Sequence, residues 1–457
     1  MALKRKIEAT LEQWHASPKN KAFLLVGARQ TGKTFVVRHF AENNFDHLVE
    51  INFLENRAAA RLLSEASDTQ DFIARLSLLS TTPLVPHASL IFLDEIQVAP
   101  DILTVAKFLV EDGRFPLVLS GSMLGTELKG IRSFPVGYAQ IERMFPLDFE
   151  EFCWSQNVSP AIIDQIREAH RQLIPLDEGL HERLISLYRY YVAIGGMPEA
   201  VQTYLDSSYD VGAVRFVCEQ IVENYRYDIA QYAEPRAPQI RAVFDAVPSQ
   251  LDKENKRFRM DALKKGGMFE RYAHDFDWLI DAAVVIPVYA TTEPKRPLKR
   301  TAQANKFKLY SSDTGLLLAQ YSSQTMLDVI ANSPAINFGA VYENAVAQEL
   351  VCRDPNLYYF RNNRKGEVDF IIERDDGSLL PIEVKSGKDY KLHTALNNLL
   401  STEDFGINEA CVLSMANVSQ GARAGKPVHY LPLYMTFCIA EQMGGSLAGV
   451  QIAPPKF

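Results

Sequence analysis

Eight residues near the start of the chain combine glycines, a lysine and a threonine at a spacing that suits phosphate chemistry. The stretch GARQTGKT, residues 27–34, follows the apolar run AFLLV and precedes a helical run. Glycines let backbone N–H groups curl around a phosphate, and the N-terminus of a helix adds partial positive charge. Lys33 is expected to reach the β- and γ-phosphates of ATP, and the Thr34 hydroxyl to ligate Mg²⁺. The cofactor-binding residues expected in this loop are Gly27, Ala28, Arg29, Gln30, Thr31, Gly32, Lys33 and Thr34.

A second apolar run, LIFLDE, ends in two adjacent carboxylates, Asp94 and Glu95. Packing alone rarely explains such a pair, because an unpaired buried charge is costly. Asp94 is expected to hold Mg²⁺ through water. Glu95 is expected to polarise the attacking water as a general base. Together with the phosphate loop, the run predicts an ATP-hydrolysing site.

The run FPLVLSGS and two arginines supply further candidates for this site. Ser120 or Ser122 could sense the γ-phosphate from a strand end, and Ser122 is included among the cofactor-binding residues. A serine there is equally compatible with a simple turn. Arg132 and Arg143 are candidates for an arginine finger, and each is equally compatible with a surface charge.

A late hairpin carries charged residues in strands that otherwise look buried. EVDFIIE and LLPIEVK flank the turn sequence RDDG, which predicts two antiparallel strands. Period-two alternation puts Val368 and Phe370 on one face and Asp369 on the other. In the second strand, Glu383 and Lys385 share a face. The three charged side chains are therefore expected to project together.

Two carboxylates on adjacent strands can hold a divalent metal, which predicts Asp369 and Glu383 as metal ligands. Lys385 could orient a water and stabilise a phosphorane-like transition state. Glu343, on a helix upstream, is the candidate for a further acid. A cross-strand ladder of salt bridges is the alternative for the hairpin set, and an exposed helical charge is the alternative for Glu343.

At 457 residues the chain should form two to four domains. Short apolar strands alternate with helices in the first third, as a parallel sheet covered on both faces requires. The fold class is therefore α/β, with a P-loop sheet domain, a helical and winged-helix-like middle and an α/β C-terminal domain. The expected domains are residues 1–151 (ATPase), 152–237 (helical), 238–330 (winged-helix-like) and 331–457 (C-terminal).

The middle of the chain has a local excess of positive charge. Three helices and a hairpin with a basic loop suggest a winged helix. From Leu251 to Tyr310 there are 13 Lys and Arg against 8 Asp and Glu. The excess makes DNA a candidate partner, and a solvated face is an equal alternative.

Bulk composition narrows the class of protein. An apolar fraction of 47% with 23% charged residues is that of a folded globular protein. A net charge of −8 gives no global attraction to nucleic acid. Five scattered cysteines argue for a reducing compartment without disulfides or structural zinc. No apolar run is long enough to span a bilayer, so no membrane partner and a cytoplasmic location are expected.

The motifs carry a family resemblance over nearly the whole chain. In order, they are GARQTGKT, LIFLDEIQ, LSGS, FPLDFEEF, GGMPEA, FKLYSSDTGLL, YENAVAQEL and GEVDF…IEVKSG. The chain resembles prokaryotic AAA-family ATPases that carry a C-terminal domain of unknown function 4143.

The resemblance implies an AAA-like core and a C-terminal fold similar to PD-(D/E)XK nucleases. Lys33, Thr34, Asp94 and Glu95 match the ATPase motifs, and Glu343, Asp369, Glu383 and Lys385 match the nuclease motif. Tyr138 stands where relatives tend to have an arginine. A role of that arginine in nucleotide sensing or subunit contact is therefore in doubt here or passes to Arg132 or Arg143.

Two hypotheses of function follow. In the preferred one, a Mg²⁺-dependent ATPase controls a nuclease-like domain that acts on DNA. In the alternative, an ATP-driven regulatory or scaffolding protein binds other proteins, and its nuclease-like domain is catalytically silent. A homo-oligomer is a candidate assembly in either case.

Overall fold

The computed structural model describes residues 2–17, 21–122, 137–333, 338–387, 390–391 and 393–444. The helices are α1 (Lys6–His15), α2 (Lys33–Asn44), α3 (Arg57–Ser64), α4 (Thr69–Leu79), α5 (Ile102–Asp112), α6 (Phe149–Ser155), α7 (Pro160–Gln172), α8 (Glu178–Ile194), α9 (Pro198–Asp206), α10 (Val211–Tyr232), α11 (Ala237–Leu251), α12 (Ala273–Asp281), α13 (Thr314–Ala319), α14 (Ser323–Ala331), α15 (Gly339–Val351), α16 (Thr394–Leu400) and α17 (Thr436–Ala440). Short 3₁₀ turns are Ile96–Val98, Met260–Ala262, Phe269–Arg271, Leu298–Thr301, Glu403–Phe405 and Leu433–Met435. The strands are β1 (Ala22–Val26), β2 (His47–Asn52), β3 (Ser89–Asp94), β4 (Leu117–Gly121), β5 (Ala139–Arg143), β6 (Val285–Thr291), β7 (Ala302–Ser311), β8 (Leu357–Asn362), β9 (Gly366–Glu373), β10 (Leu379–Val384), β11 (Ala410–Ser414), β12 (Ser419–Arg423) and β13 (Lys426–Pro432).

The N-terminal strands form a parallel sheet in the order β2-β3-β4-β1-β5. Both faces are covered: Phe23 and Leu25 of β1 pack into one apolar cluster, and Ala22 and Leu24 pack into another. This arrangement explains the near-continuous apolar runs, since neither face is left for polar residues. The α/β prediction for this part of the chain is confirmed.

Strand order brings the predicted phosphate chemistry to one edge of that sheet. β4 lies between β1 and β3, and all three strands run in parallel. The loop after β1, the acids at the end of β3 and the serines at the end of β4 therefore meet at the carboxyl edge. Ligands bind at this edge in open α/β sheets.

Helices α6 to α12 make up the middle of the chain, in agreement with its helical periodicity. They are followed by the expected hairpin, β6 paired antiparallel to β7. Strand β6 also pairs in parallel with β8, so the hairpin forms the end of a mixed sheet ordered β12-β13-β11-β10-β9-β8-β6-β7. This sheet runs across position 330, where the sequence analysis expects a domain boundary.

The late hairpin, β9 and β10, forms as predicted, but one detail of its alternation is wrong. Val368 packs into the same apolar cluster as Ile371, whereas Phe370 packs into the cluster on the opposite face. The cause is a bulge: Tyr358 of β8 pairs with Ile371 and Phe360 pairs with Val368, so β9 carries one extra residue. A bulge of this kind re-aims a side chain, and here it falls at Asp369.

The five cysteines are free, as expected for a chain without disulfides. Among the described residues, no helix combines the length and the apolar character that crossing a bilayer requires.

Candidate functional site

Carbonyl groups of the phosphate loop accept hydrogen bonds from the loop's own lysine. Lys33 Nζ donates hydrogen bonds to the carbonyl oxygens of Gly27, at 3.1 Å, and Ala28, at 2.7 Å. Burial lowers the pKa of Lys33 to about 8, against the charges of Glu95 and Asp94. Gly32 adopts a φ of 90°, and a Cβ at Gly27 would lie 2.2 Å from the Met144 carbonyl oxygen. Both positions therefore require glycine.

The magnesium residues predicted from sequence lie together. Thr34 Oγ1 donates to Asp94 Oδ2 at 2.9 Å, and Asn52 Nδ2 donates to the same oxygen at 3.2 Å. Ser120 donates to the other Asp94 oxygen, Oδ1. A hydroxyl beside a buried carboxylate is the oxygen donor set that Mg²⁺ prefers, so these residues fit the ion. When bound, the ion would neutralise phosphate charge.

Glu95 is held by a glutamine that sequence reasoning did not single out. Gln97 Nε2 donates to Glu95 Oε2 and, at 3.1 Å, to Ser122 Oγ. The Ser122 N–H donates to Gln97 Oε1 at 3.2 Å, which closes the network. Glu95 has a φ of 57°, in the left-handed region that few side chains adopt. Residues held in such conformations cluster at functional sites.

An open cavity of about 740 Å³ lies over the loop, large enough for a nucleotide. Lys33, Thr34 and Glu95 line one side of it. Leu3 and Pro198 line it from the N-terminal segment and from α9. The cavity is therefore formed by three parts of the chain, and the loop contributes the polar groups.

The N-terminal segment is fixed to the loop by Arg5. Its Nη1 donates to the Thr31 carbonyl oxygen at 3.0 Å, and its Nη2 donates to the Phe145 carbonyl oxygen at 2.7 Å. Thr31 Oγ1 in turn donates to the Ala28 carbonyl oxygen at 3.0 Å. Gln30 lines the cavity with a φ of 65°. The loop conformation is thus supported from outside the motif.

Arg29 connects the loop to the helical middle. Its guanidinium forms an ion pair with Asp228 of α10 and lies 5.0 Å from the ring centroid of Tyr232. Tyr225 OH donates to the Arg29 carbonyl oxygen at 3.2 Å. Burial raises the pKa of Asp228 to about 6, against the charge of Arg29. The loop and α10 therefore share a partly buried contact.

The arginine-finger candidates receive no support from the described residues. Arg143 is exposed at the end of β5 and does not line the nucleotide cavity. Arg132 lies outside the described residues. Tyr138 OH donates to Glu111 Oε1 at 2.8 Å and so forms a surface contact.

The second predicted site contains a lysine where a metal was expected. Lys308 of β7 is 1% exposed, and its Nζ lies 2.9 Å from Glu367 Oε1, 3.2 Å from Asp369 Oδ1 and 3.5 Å from Glu343 Oε2. Burial acts to lower the pKa of Lys308, but the surrounding oxygens raise it above its usual value. The ammonium group is therefore the cation of this acid cluster, which we define as Glu343, Glu367, Asp369 and Glu383.

Further contacts fix the carboxylates of the acid cluster. Asp369 Oδ2 accepts from the Val384 N–H at 3.0 Å. Glu343 accepts from Tyr310 OH at 2.9 Å and from Lys256 Nζ. Burial acts to raise the pKa of Asp369, but the charges of Lys308 and Lys256 outweigh it and hold the pKa below its usual value. Asp369 is thus an ionised partner of lysines.

Glu383 forms a separate pair with Lys385, whose Nζ lies 2.7 Å from Glu383 Oε1. The other oxygen, Oε2, is buried without a hydrogen-bond partner. Burial and the charge of Asp369 raise the pKa of Glu383 to about 8. The structure therefore brings Asp369 and Glu383 near each other, yet each carboxylate has its own lysine.

A divalent ion does not fit the acid cluster in this arrangement. Lys308 Nζ lies 3.2 Å from Asp369 Oδ1 and Lys385 Nζ lies 2.7 Å from Glu383 Oε1, so each predicted metal ligand is already paired with a lysine. Across the described part of the chain, no group of three or more His, Cys, Asp or Glu side chains is arranged to hold a metal. The predicted ligands Asp369 and Glu383 lie near each other, and their role in cleavage stays a prediction.

Several residues of both sites were missed from sequence, namely Arg5, Asn52, Gln97, Asp228, Lys256, Lys308 and Glu367. For Lys308 a signal existed. In KFKLYS it alternates with Phe307 and Leu309, which are buried, so it is a charged residue inside a buried strand. The same reasoning singled out Asp369. Lys308 was instead counted with the basic surface of the hairpin.

Comparisons with known proteins match three stretches of the chain. Residues 19–153 match the model of an AAA domain, residues 185–326 match a domain of unknown function 8612, and residues 338–434 match a domain of unknown function 4143. None of the curated proteins matches the chain.

The solved structures that match include PCH-2 of C. elegans, at 15% identity and a TM-score of 0.26. The match covers 46% of this chain and 65% of that one. A closed-state reconstruction of Hsp104 with ATPγS and FITC casein has 14% identity and a TM-score of 0.29, and covers 55% of this chain and 49% of that one. The chain thus spans less than two thirds of the length of either structure.

The parallel sheet, the phosphate loop and the match over residues 19–153 define an AAA domain at the N-terminal end of the chain. More specifically, the chain joins an N-terminal AAA domain to a C-terminal domain of unknown function 4143, and the resemblance noted from sequence is confirmed.

Proposed function

We propose that the protein is a magnesium-dependent ATPase whose nucleotide state is transmitted to the C-terminal domain. The contact between the Thr34 hydroxyl and Asp94, 2.9 Å apart beside the nucleotide cavity, carries the first part of this proposal. Hydroxyl, carboxylate and lysine there match the requirements of phosphoryl transfer, in which positioning and charge neutralisation supply most of the catalysis. Ser120 supports the assignment by holding the second oxygen of Asp94.

Each residue then has a defined role. Lys33 turns from the loop carbonyls to the β- and γ-phosphates, and Thr34 and Asp94 hold Mg²⁺. Glu95 polarises the attacking water while Gln97 orients its carboxylate. Ser122 fixes Gln97, so its role is positioning and not direct contact with the γ-phosphate.

A continuous set of contacts supports transmission of the nucleotide state. Arg29 pairs with Asp228 of α10, and α10 packs against α13. Asp313 caps α13 and accepts from the Gly196 N–H at 2.6 Å and from Gln348 of α15 at 3.2 Å. The same helix carries Glu343 of the acid cluster. Movement of the loop on hydrolysis would therefore reach the C-terminal sheet through packed elements.

The test measures ATP binding and Mg²⁺-dependent turnover in the parent, Lys33→Ala and Glu95→Gln, with Arg171→Ala on the exposed face of α7 as a control. Lys33→Ala should lose ATP binding. Glu95→Gln should bind ATP but turn it over about 10²–10⁴-fold more slowly, since it loses a general base. The control should match the parent. Unchanged turnover in Lys33→Ala would overturn the ATPase assignment.

For the C-terminal domain we propose DNA contact without cleavage, which is closer to the catalytically silent alternative than to a nuclease. The observation that favours the absence of cleavage is Lys308, whose ammonium group lies among the carboxylates of Glu343, Glu367 and Asp369. The test incubates single- and double-stranded DNA with the parent and Asp369→Ala, in Mg²⁺ or Mn²⁺, with and without ATP. We expect no cleavage in any combination. Cleavage by the parent that Asp369→Ala abolishes would restore the nuclease hypothesis.

A further inference from the structure

A basic cleft of about 480 Å³ opens between the hairpin β6–β7 and the turn that joins β8 to β9. Four basic side chains line it: Arg257, Lys306, Arg361 and Arg364. The amides of Gln303, Asn362 and Asn363 complete its polar lining. No carboxylate is among the described residues that line it, although the protein as a whole carries a net charge of −8.

Two irregularities of the sheet build this basic cleft. Opposite β6, Tyr289 pairs with Phe307 but Ala290 pairs with Gln303, so residues 304–306 leave the ladder. This displacement brings Lys306 into the lining. On the other side, Asn362 pairs with Gly366, and the three residues between them form the turn that carries Arg364. Bulges commonly lie next to functional sites, where they re-aim side chains.

The cleft contains polar atoms without protein partners. Arg257 Nε, a donor, and Gln303 Oε1, an acceptor, are both buried, and neither forms a hydrogen bond with a described residue. The side chains of Lys306 and Arg364 form no ion pair with any described residue. A buried donor without a partner destabilises the free protein. An anion supplies acceptors to the donors among these groups, namely those of Arg257, Lys306 and Arg364.

The neighbouring acid cluster does not cancel this positive charge. Arg361 Nη1 lies 3.0 Å from Glu367, which also contacts Lys308. Lys308, Lys256 and Lys385 each pair with carboxylates of the acid cluster, so lysines compensate three of its four negative charges. Arg361 compensates the fourth through Glu367, which leaves the charges of Arg257, Lys306 and Arg364 to the cleft. Without these lysines, the cluster would repel phosphates from the cleft.

We propose that the basic cleft binds successive phosphates of a DNA strand, with its amide side chains against the sugars and bases. The proposal rests on the DNA contact proposed above and gives that contact a location. Its size and its four cations exceed what one inorganic phosphate requires, whereas a positively charged groove with polar side chains is the usual site for a nucleic-acid backbone.

The test measures fluorescence anisotropy of labelled single-stranded and duplex DNA at a series of salt concentrations. The cleft variant combines Arg257→Gln, Lys306→Gln and Arg364→Gln. The matched control combines Lys264→Gln, Lys265→Gln and Arg271→Gln, which remove the same charge from exposed positions of the same basic segment outside the cleft. ATP turnover of each variant reports that it is folded.

We expect the cleft variant to bind DNA at least about tenfold more weakly than the parent. The slope of log K against log salt concentration should become about two to three smaller, since each lost phosphate contact removes about 0.7–0.9 from it. The control variant should remain close to the parent. If both variants bind like the parent, the location is wrong although DNA contact stands. If the parent binds no DNA, the DNA contact itself fails. Competition by inorganic phosphate as effective as competition by unlabelled DNA, at equal phosphate concentration, would overturn the polynucleotide assignment.

Discussion

Lys308 Nζ of β7 lies 3.2 Å from Asp369 Oδ1 of β9, and the two side chains are 1% and 14% exposed. This ion pair joins the hairpin β6–β7, which carries the lysine, to the β9–β10 hairpin, which carries the acid. Charged residues in buried strands thus have different explanations at the two ends of the chain. At the loop they serve a nucleotide, and at the C-terminal sheet they neutralise one another.

Replacement of Lys308 tests its role as the cation of the acid cluster. Lys308→Met should lower the free energy of unfolding by about 3–5 kcal/mol, because it leaves buried carboxylates without a partner. Urea unfolding measures the change. Lys306→Met, two residues away on β7 and free of ion pairs with described residues, is the matched control and should cost far less. Equal stability of the two variants would contradict the assignment.

Glu349 should make stability depend on pH. It is 2% exposed and accepts from the Phe149 N–H at 2.7 Å and from Tyr191 OH at 2.9 Å. Burial, aided by the charge of Asp148, raises its pKa to about 8 from a usual value of 4.5. Because the folded pKa is the higher one, the contribution is full below pH 4.5 and is lost as the pH rises through 8.

The corresponding experiment compares urea unfolding at pH 5 and pH 8. The parent should lose stability over this interval at up to about 1.4 kcal/mol per pH unit from this group. Glu349→Gln should lose less, since the amide does not ionise. Glu373→Gln on β9, which is partly exposed, serves as the control and should follow the parent. A parallel pH dependence of the parent and Glu349→Gln would refute this prediction.

The pair Arg29–Asp228 should carry the nucleotide state to α10. In hydrogen exchange, a non-hydrolysable ATP analogue should increase the protection of residues 211–232 in the parent. Asp228→Asn should lose most of this increase while still binding the analogue. Asp245→Asn removes a different ion pair of α10, the one formed by Arg226, and this variant should keep the increase in protection. The same protection in Asp228→Asn and the parent would exclude this route.

The nucleotide site could be predicted from sequence because its signals are local. A glycine-rich loop after a strand and acids at a strand end are contiguous patterns, and each fixes a backbone geometry by itself. The support from Arg5, Asn52 and Gln97 could not be predicted as readily, because it depends on residues that meet only after the sheet has formed.

The acid cluster could be predicted only in part, because its contacts join residues that are distant in the sequence. The alternation of β9 and β10 predicts Asp369, Glu383 and Lys385, but the lysine that pairs with Asp369 is about sixty residues earlier in the chain. The bulge at Asp369 could not be predicted either, because a strict alternation of side chains between the two faces assumes a regular pairing of the strands. Pairing of β6 with β8 is what brings Lys308 to the acids, and strand order was not predicted.

Electron paramagnetic resonance can count the Mn²⁺ ions bound per chain and so test both sites at once. One ion should bind when a non-hydrolysable ATP analogue is present, and it should be lost in Asp94→Asn. No ion should bind at the acid cluster without nucleotide. A nucleotide-independent ion in the parent that is lost in Asp369→Asn would contradict the assignment of Lys308 as the cation of that cluster.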